Sequence, residues 1–303
     1  MPDPFLRIFS EFSLSECDFF PNYPLSRLTT LRIGGPARLL AVPKSTLVLT
    51  RLLAILNEEG IARTLIGNGS NLLAPDAGYP GVVISTRALH EFEIKEQTIT
   101  AGCGARLPAV ARAATRAGIA GFSALSGIPG TIGGAIYMNA GAAGETVGDR
   151  ILSVSAVPRD GGEPIRLLRE ECLFSYRKSI FMRRSLIVLS AILTGERLPV
   201  DTLLARETAA LAHRRLTQPL ELPSAGSVFR RPENDFAGRL IEAAGLKGLR
   251  IGGAEVSERH AGFIVNRGGA TAADVNELIR CITHRVYDAF GVRLVREIEI
   301  LGE

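Results

Sequence analysis

The first feature of the chain is a pair of apolar runs separated by an amphipathic segment. ARLLAV (37–42) and ARTLIG (62–67) are runs typical of buried strands. Between them Ser45 can cap a helix, and Gly60 follows that helix as a stop signal. This order predicts a βαβ unit with parallel strands and a right-handed crossover, and GVVIST (81–86) predicts a further strand.

Further along the chain, apolar and polar positions alternate in short runs, as they do in antiparallel strands. EFEIKEQTITA (91–101) predicts a hairpin or meander, and ILSVSAVPRDGGEPIRLL (151–168) predicts a hairpin with its turn at residues 160–162. An alanine-rich helix with Pro108 near its first turn lies between them. Since LIVLSAILTG (186–195) predicts a buried strand, the middle of the chain is expected to mix helix and antiparallel sheet.

The last third of the chain has an α+β pattern. AEVSERHAGFIVN (254–266) predicts two strands around a turn, and Thr271 with Asp274 resembles a capping box. VRLVREIEIL (292–301) predicts a final strand, in which strand alternation would place Val295, Glu297, Glu299 and Leu301 on one face. The helices are predicted over residues 200–216, 235–245 and 271–290.

Composition and charge narrow the possible partners. The 303 residues are 46% hydrophobic and 22% charged, which fits a globular chain of two or three subdomains. A net charge of +4 suits anionic small ligands, but the basic residues are scattered and tryptophan is absent, so no nucleic-acid partner is predicted. The uncharged stretch 117–144 is interrupted by glycines, so no membrane insertion is predicted.

Cysteine and histidine spacing points to a reducing compartment without a metal site. The four cysteines have no C-x-x-C spacing, and the four histidines have no metal-ligand spacing. Unpatterned thiols in a chain with a large core predict a cytoplasmic protein. The N-terminal segment is apolar but broken by charges, unlike the apolar run of a signal peptide.

Two glycine-rich segments are the first candidates for ligand binding. The first follows the strand 62–67, with a plain tight turn as the alternative, and consists of Gly67, Asn68, Gly69, Ser70 and Asn71. The second is uncharged, and its backbone donors and small side chains suit a pyrophosphate, with a glycine-dense packing corner as the alternative. Its candidate residues are Gly127, Ile128, Pro129, Gly130, Thr131, Gly133, Gly134 and Ala135.

These two segments resemble the FAD-binding domain of the vanillyl-alcohol oxidase and p-cresol methylhydroxylase type. Four later segments are similar to the UDP-N-acetylenolpyruvoylglucosamine reductase family, and with them the resemblance covers residues 25–302. They are FSYRKS (174–179), PSAGSVFRRP (223–232), VSERHAGFIVN (256–266) and LVREIEILG (294–302).

The resemblance implies an α/β (α+β) flavoprotein that reduces a sugar nucleotide. NADPH reduces non-covalent FAD, and hydride passes from flavin N5 to the enolpyruvyl ether of UDP-N-acetylglucosamine, giving UDP-N-acetylmuramate for peptidoglycan. After an N-terminal extension (1–24), residues 25–86 and 87–197 are expected to be two FAD-binding subdomains, and residues 198–303 the UDP-sugar domain.

The resemblance also assigns the chemistry to particular residues. Arg177 matches the family's catalytic arginine, and its planar fork suits the carboxylate on which charge develops. Ser227 matches the general acid. Glu297 matches the third catalytic residue, with Glu299 as its rival on the same predicted face.

The substrate contacts are less specific in the sequence. Tyr176, Arg214, Arg230 and Arg231 are candidates for substrate binding, the three arginines for the diphosphate, with ordinary surface residues as the alternative. Because no tyrosine lies between Arg177 and Ser227, the chain resembles the shorter subclass, which lacks a tyrosine-bearing insertion that closes over the substrate.

Two other functions stay open from the sequence alone. One is an FAD oxidase of the same fold that acts on an alcohol or sugar. The other is a non-catalytic regulator that binds a sugar nucleotide or flavin.

Overall fold

The computed structural model describes residues 5–302. The predicted N-terminal extension therefore begins, and the predicted substrate domain ends, outside the described residues. The described chain forms two compact units. The first holds residues up to Pro21, then Leu39–Asn68 and Gly81–His213, and the second holds Asn22–Arg38, Gly69–Pro80 and the chain from Arg214 onward. The four predicted segments stay a prediction about which ligand each part binds.

Helices and strands are interspersed along the chain. The α-helices are α1 (Phe5–Glu11), α2 (Thr46–Glu58), α3 (Leu107–Arg116), α4 (Ile132–Tyr137), α5 (Val200–Thr217), α6 (Ala237–Ala243) and α7 (Ala272–Phe290). The strands are β1 (Cys17–Pro24), β2 (Pro36–Pro43), β3 (Arg63–Ile66), β4 (Leu72–Leu73), β5 (Tyr79–Ser85), β6 (Phe92–Lys95), β7 (Thr98–Gly102), β8 (Gly141–Ala142), β9 (Glu145–Thr146), β10 (Ile151–Pro158), β11 (Ile165–Leu168), β12 (Leu186–Thr194), β13 (Ser224–Ser227), β14 (Arg250–Ile251), β15 (Ala254–Val256), β16 (Phe263–Asn266) and β17 (Glu299–Ile300).

The predicted order of strand, helix and strand is present, but the two strands are not adjacent in the sheet. The Ser45 hydroxyl accepts the Val48 N–H at 3.2 Å and so caps α2, as predicted. The strands β2 and β3 are not neighbours, because the sheet has the order β1-β2-β5-β3. The strand β5 lies between them and runs parallel to β3. The carboxyl ends of β3 and β5 therefore lie at the same edge, where the first glycine segment begins.

A five-stranded sheet of order β11-β10-β12-β7-β6 forms the rest of the first unit's framework. Both predicted hairpins are confirmed, since β6 pairs antiparallel with β7 and β10 pairs antiparallel with β11. The buried strand β12 lies between β10 and β7. The core of this unit packs α2, α3 and α4 against strand residues that include Ile99, Val154 and Leu193.

The second unit has a four-stranded sheet of order β13-β16-β15-β14 with α6 and α7 packed on it. The predicted capping box is confirmed, because Thr271 and Asp274 each bond the other's backbone N–H. Asp76, from a distant loop, also accepts the N–H groups of Ala272 and Ala273 at 2.7 and 3.0 Å. A carboxylate at a helix N-terminus is favourable because it satisfies free N–H donors and faces the positive end of the helix dipole.

The predicted final strand 292–301 is wrong over most of its length. Within this segment only β17 is a strand, and Arg296 makes an isolated bridge to Phe229. The buried side chains are Leu294, Ile298 and Leu301, a spacing that does not fit the two-residue period of a strand. Glu297 and Glu299 therefore do not lie on one face of a single strand.

Candidate active site

Arg177 lies at the tip of a tight turn in the first unit. Ser175 and Lys178 exchange two backbone hydrogen bonds, both 3.1 Å, so Tyr176 and Arg177 are the two loop residues. Arg177 has φ 52°, a left-handed conformation that non-glycine residues seldom adopt. Its guanidinium carbon lies 5.3 Å from the centre of the Tyr176 ring. Tyr176 is about half exposed. The turn thus presents a cation stacked on an aromatic ring.

The segment that follows the second glycine-rich loop holds this turn. The Ser179 hydroxyl donates to the Tyr137 carbonyl at 2.7 Å, and the Asn139 side-chain amide donates to the Ser175 carbonyl at 2.9 Å. The Arg177 Nη2 donates to the Gly141 carbonyl at 3.3 Å. The glycine-rich segment and the arginine turn are therefore joined through α4 and the residues after it.

The second glycine-rich segment forms a 3₁₀ turn and the short helix α4, and several of its backbone N–H groups are already bonded within the protein. The N–H groups of Ile132 and Gly133 donate to Ala105 and Cys103 carbonyls at 2.8 Å each, and Gly134 donates to the Thr131 hydroxyl at 3.4 Å. The expectation of free donors is wrong for these three residues.

The glycines of this loop differ in what surrounds them. A Cβ on Gly133 would lie 3.0 Å from that of Cys103, so close packing requires this glycine. A Cβ on the exposed Gly134 would have no neighbour nearer than the Thr131 hydroxyl at 3.6 Å. Gly133 therefore fits the packing alternative, whereas Gly134 fits a surface that a ligand approaches.

The first glycine segment begins in the first unit with Gly67 and Asn68. A Cβ on Gly67 would meet the Thr131 hydroxyl at 2.3 Å, so only glycine allows the two glycine-rich segments to approach this closely. Arg87, just after β5, donates through Nε to the Gly67 carbonyl at 3.1 Å and through Nη2 to the Asn68 carbonyl at 3.3 Å. The carbonyls of this loop are thereby held against the protein.

The rest of that segment, Gly69–Asn71, lies in the second unit. Gly69 has φ 65° and packs on the Leu28 backbone, where a Cβ would lie 2.2 Å from the carbonyl oxygen. The Thr30 N–H donates to the Gly69 carbonyl, and the Thr30 hydroxyl donates to the Ser224 carbonyl at 2.7 Å. Thr30 therefore connects this loop to β13, the strand that ends at Ser227.

Ser227 is placed by a β-bulge. Ser224 pairs with Val265 and Ser227 pairs with Phe263, so β13 has one more residue than β16 between the two pairs. Gly226, within this bulge, has φ 77°. An extra residue of this kind redirects the side chain that follows it. A Cβ on Gly226 would have nothing within 4 Å. Ser227 is thus part-buried beside open space, as a group that meets a ligand must be.

Glu297 lies near Ser227 because the backbone of residues 295–297 is hydrogen-bonded to that of residues 228–230. The Glu297 N–H donates to the Val228 carbonyl at 2.7 Å, and the Arg230 N–H donates to the Val295 carbonyl at 2.8 Å. Two of the three predicted catalytic residues are therefore brought together in the second unit, and Arg177 lies in the first. Glu299 is held elsewhere, since its N–H donates to the Asn71 carbonyl at 2.9 Å.

Comparisons with known proteins identify the family. A family model described as the UDP-N-acetylenolpyruvoylglucosamine reductase C-terminal domain matches residues 218–301, and one described as an FAD binding domain matches residues 37–167. A UDP-N-acetylenolpyruvoylglucosamine reductase of Caldicellulosiruptor bescii is 44% identical, over 95% of this chain and 92% of its own length. The chain belongs to the UDP-N-acetylenolpyruvoylglucosamine reductase family.

Two further relatives agree with this membership. The reductase of that name from Moorella thermoacetica is 45% identical over 93% of both chains. The crystal structure of the Thermus caldophilus UDP-N-acetylenolpyruvylglucosamine reductase superposes with a TM-score of 0.80 at 35% identity, covering 94% of this chain and 98% of that one. The predicted family, the FAD-binding fold class and the cofactor FAD are confirmed.

The candidate diphosphate arginines of this family member differ in their surroundings. Burial lowers the pKa of the Arg214 guanidinium, which has no hydrogen bond or ion pair within residues 5–302. The Arg230 Nε is buried without a hydrogen-bond partner among the same residues. Arg231 is exposed and stacks on Phe236, with its guanidinium carbon 4.3 Å from the ring centre. Arg230 therefore has a buried donor that an anion would bond, and the part-buried Arg214 has a guanidinium without a protein partner in the described chain.

Three residues near these loops have structural roles that sequence reasoning did not identify. Arg87 and Asn139 received no role, and Asn71 was predicted only as a cofactor contact. Their bonds go mainly to carbonyl groups far away in sequence, which no motif reveals. The one local signal is at Asn139, because asparagine tolerates the left-handed backbone better than most residues do.

Neither a metal cluster nor a membrane-spanning helix occurs in the described chain. Over residues 5–302, no group of three or more His, Cys, Asp or Glu side chains is arranged to hold a metal ion. In the same residues, no helix has the length and apolar character needed to cross a bilayer.

Proposed function

We propose that this protein is an NADPH-dependent UDP-N-acetylenolpyruvoylglucosamine reductase. The observation that carries the proposal is the bulge at Gly226, which presents Ser227 directly beside the backbone that pairs with Glu297. The reaction adds a hydride to the methylene carbon of the enolpyruvyl ether and a proton to the carbon bearing the carboxylate. NADPH becomes NADP⁺, and the product is UDP-N-acetylmuramate, a precursor of peptidoglycan.

FAD, when bound, supplies the hydride transfer between the two substrates. The exposed Gly134 and the loop around it fit a pyrophosphate, since residues 126–135 themselves carry no acidic side chain that would repel it. Gly133 packs against Cys103, and Asn71 can contact the cofactor only through its backbone because its amide bonds Glu297. The residues proposed to line the cofactor are Gly67, Asn68, Gly69, Ser70, Asn71, Gly127, Ile128, Pro129, Gly130, Thr131, Gly134 and Ala135.

The three proposed catalytic residues act on the enolpyruvyl group. Arg177 binds the carboxylate and stabilises the negative charge that hydride addition develops there. Ser227 donates the proton to the neighbouring carbon. A serine hydroxyl is a weak acid, so Glu297 orients Ser227 or stabilises the enol that forms. The backbone hydrogen bond between residues 228 and 297 keeps Glu297 close to Ser227.

The proposed substrate contacts follow from unsatisfied donors. The buried Arg230 Nε and the part-buried Arg214 guanidinium suit the diphosphate of the UDP-sugar, because a partly desolvated cation without a partner gains most from an anion. The exposed Arg231 and Tyr176 complete the proposed set.

A same-fold FAD oxidase with covalently bound flavin fits the structure less well. Burial raises the pKa of the Cys103 thiol to about 12, so this thiol beside the glycine-rich loop stays protonated and unreactive. His90 is an exposed residue that lies 3.4 Å from Glu91. We therefore propose non-covalent FAD.

We propose a cytoplasmic location as well. The thiols of Cys17, Cys103, Cys172 and Cys281 are all unpaired, as expected in a reducing compartment. NADPH and a UDP-sugar are metabolites of that compartment.

The function is tested with the purified holoenzyme without oxygen. NADPH should bleach the flavin absorbance, UDP-N-acetylglucosamine enolpyruvate should restore it, and mass spectrometry should show that the sugar nucleotide gains two hydrogens. A flavin that NADPH does not bleach would favour the non-catalytic regulator. Flavin that stays with the protein after acid precipitation would favour the oxidase.

A further inference from the structure

Asn139 combines three properties that seldom occur together. Its side chain is 5% exposed, and its backbone has φ 43°, in the left-handed region. Its amide nitrogen donates to the Ser175 carbonyl at 2.9 Å, and its amide oxygen accepts the Gly148 N–H at 2.9 Å. A buried amide that uses both ends is a specific connection between two chain segments.

One of the two segments that Asn139 joins is the turn that carries Arg177. Ser175 is the first residue of that turn, and the two loop residues follow it directly. Asn139 also lies two residues before Gly141, whose carbonyl accepts a hydrogen bond from the Arg177 guanidinium. The same short segment therefore contacts both the backbone of the turn and the side chain at its tip.

We propose that Asn139 is a positioning residue that fixes the Arg177 turn for reduction of the enolpyruvyl substrate. The proposal rests on the proposed function, in which Arg177 stabilises charge on the substrate carboxylate. A displaced cation loses most of its effect, because stabilisation of a transition state depends on a donor held in advance at the right place.

Asparagine meets the needs of this position better than related residues do. Aspartate keeps the shape and the acceptor for Gly148, but its ionised carboxylate cannot donate to the Ser175 carbonyl. Glycine keeps the left-handed backbone without strain and removes both side-chain bonds. The aspartate variant therefore tests the loss of the side-chain donor alone, and the glycine variant tests the loss of both side-chain bonds without backbone strain.

The experiment uses Asn139→Asp and Asn139→Gly holoenzymes. Reduction of bound flavin by NADPH should match that of the wild type in both. Reoxidation by UDP-N-acetylglucosamine enolpyruvate at pH 8 should slow by a factor on the order of 10 to 100, the scale of a misplaced catalytic group. The matched control is Asn22→Asp, because Asn22 is also left-handed, with φ 51°, but is exposed.

The pH profile distinguishes positioning from a general loss of structure. Burial should raise the pKa of the introduced carboxyl, and its protonated form can donate to Ser175 as the amide does. Reoxidation by Asn139→Asp should therefore recover relative to wild type as the pH falls, whereas Asn139→Gly should not recover. The charged groups on the joined segments are Arg177 and the pair of Arg169 and Asp149 at 3.2 Å. Arg169 also donates to the Gly148 carbonyl at 3.0 Å, and its cation opposes the effect of burial, so the recovery is followed to acidic pH.

Hydrogen exchange gives a readout that does not depend on turnover. Backbone exchange at residues 175–178 should be faster in both Asn139 variants than in Asn22→Asp, whatever the substrate proves to be. Unchanged exchange, or reoxidation at the wild-type rate at pH 8, would overturn the proposal, as would two variants that do not fold. If wild-type enzyme fails to reduce the sugar but exchange changes as expected, the proposed function fails while the role of Asn139 in holding the turn stands.

Discussion

The Asn71 side-chain amide donates to the Glu297 carbonyl at 3.1 Å, and the Asn71 carbonyl accepts the Glu299 N–H at 2.9 Å. Asn71, in the first glycine segment, thus bonds the residues before and after Ile298, whose side chain is buried at a bend of the chain. The side chain of Asn71 is committed to the chain that carries Glu297.

The first prediction follows from this bond. Asn71→Ala should purify with its full flavin content, because the removed amide bonds the protein at Glu297 and the proposed contact of Asn71 with FAD uses only its backbone. Reoxidation of the reduced enzyme by the enolpyruvyl sugar should slow about 10-fold, since Glu297 loses a constraint on its position. Absorbance at purification and stopped-flow reoxidation measure the two effects. A colourless Asn71→Ala protein would instead support a direct contact between this side chain and FAD.

The second prediction separates ligand space from packing in the second glycine segment. Gly134→Ala adds a methyl group that meets nothing nearer than 3.6 Å in the protein, so folding should be unchanged. Any loss of FAD would then result from contact between this methyl group and the cofactor. Gly133→Ala is the comparison, because its methyl group would press on Cys103. We expect the affinity for FAD to fall with Gly134→Ala at an unchanged melting temperature, and the melting temperature to fall with Gly133→Ala. Full flavin loading of Gly134→Ala would remove Gly134 from the cofactor site.

The third prediction concerns Ser227 and the two half-reactions. Ser227→Ala should leave flavin reduction by NADPH nearly intact, because that step needs no proton from this hydroxyl. Reoxidation by the enolpyruvyl sugar should slow by a factor on the order of 100 or more, the usual scale for a lost general acid. Stopped-flow absorbance follows both steps. Equal slowing of the two would mean that Ser227 is structural.

The fourth prediction distinguishes the two carboxylates near the C-terminus. Glu297 is paired with the Val228 backbone and Glu299 with Asn71, so only Glu297 lies beside the Ser227 strand. Glu297→Gln should slow substrate-driven reoxidation strongly with little change in substrate affinity, because the carboxyl acts on charge that develops in the transition state. Glu299→Gln is its matched control and should behave as wild type. A reversed result would move the site to the other carboxylate.

The fifth prediction tests Arg214, the part-buried cation near the end of α5. Arg214→Met keeps much of the side-chain volume and removes the charge, so the KM for the sugar nucleotide should rise about 10-fold while kcat changes little, the pattern of a lost uniform binding contact. Arg206→Met, on the exposed face of the same helix, is the control. Steady-state kinetics measure both constants. An unchanged KM for Arg214→Met would exclude this arginine from the diphosphate site.

Several features of the fold and the site were predictable because they are local. A cap such as Ser45 or Thr271 bonds a backbone group three residues away, and a hairpin pairs neighbours, so short patterns contain the needed information. The motifs around Arg177 and Ser227 were readable because they resemble those of a family. The final strand was mispredicted because an alternating apolar pattern does not show where a chain bends to follow two different partners.

By itself, the sequence determined the family and the class of fold, and it supplied the glycine segments and the side chains that are proposed to act in catalysis. Only the tertiary structure decided that Asn139 holds the Arg177 turn, that Asn71 holds the chain at Glu297, and that Gly133 serves packing while Gly134 faces open space. The physical reason is sequence separation. These contacts join residues tens to hundreds of positions apart, so they form only when the whole core fixes both partners, and no local pattern of residues encodes them.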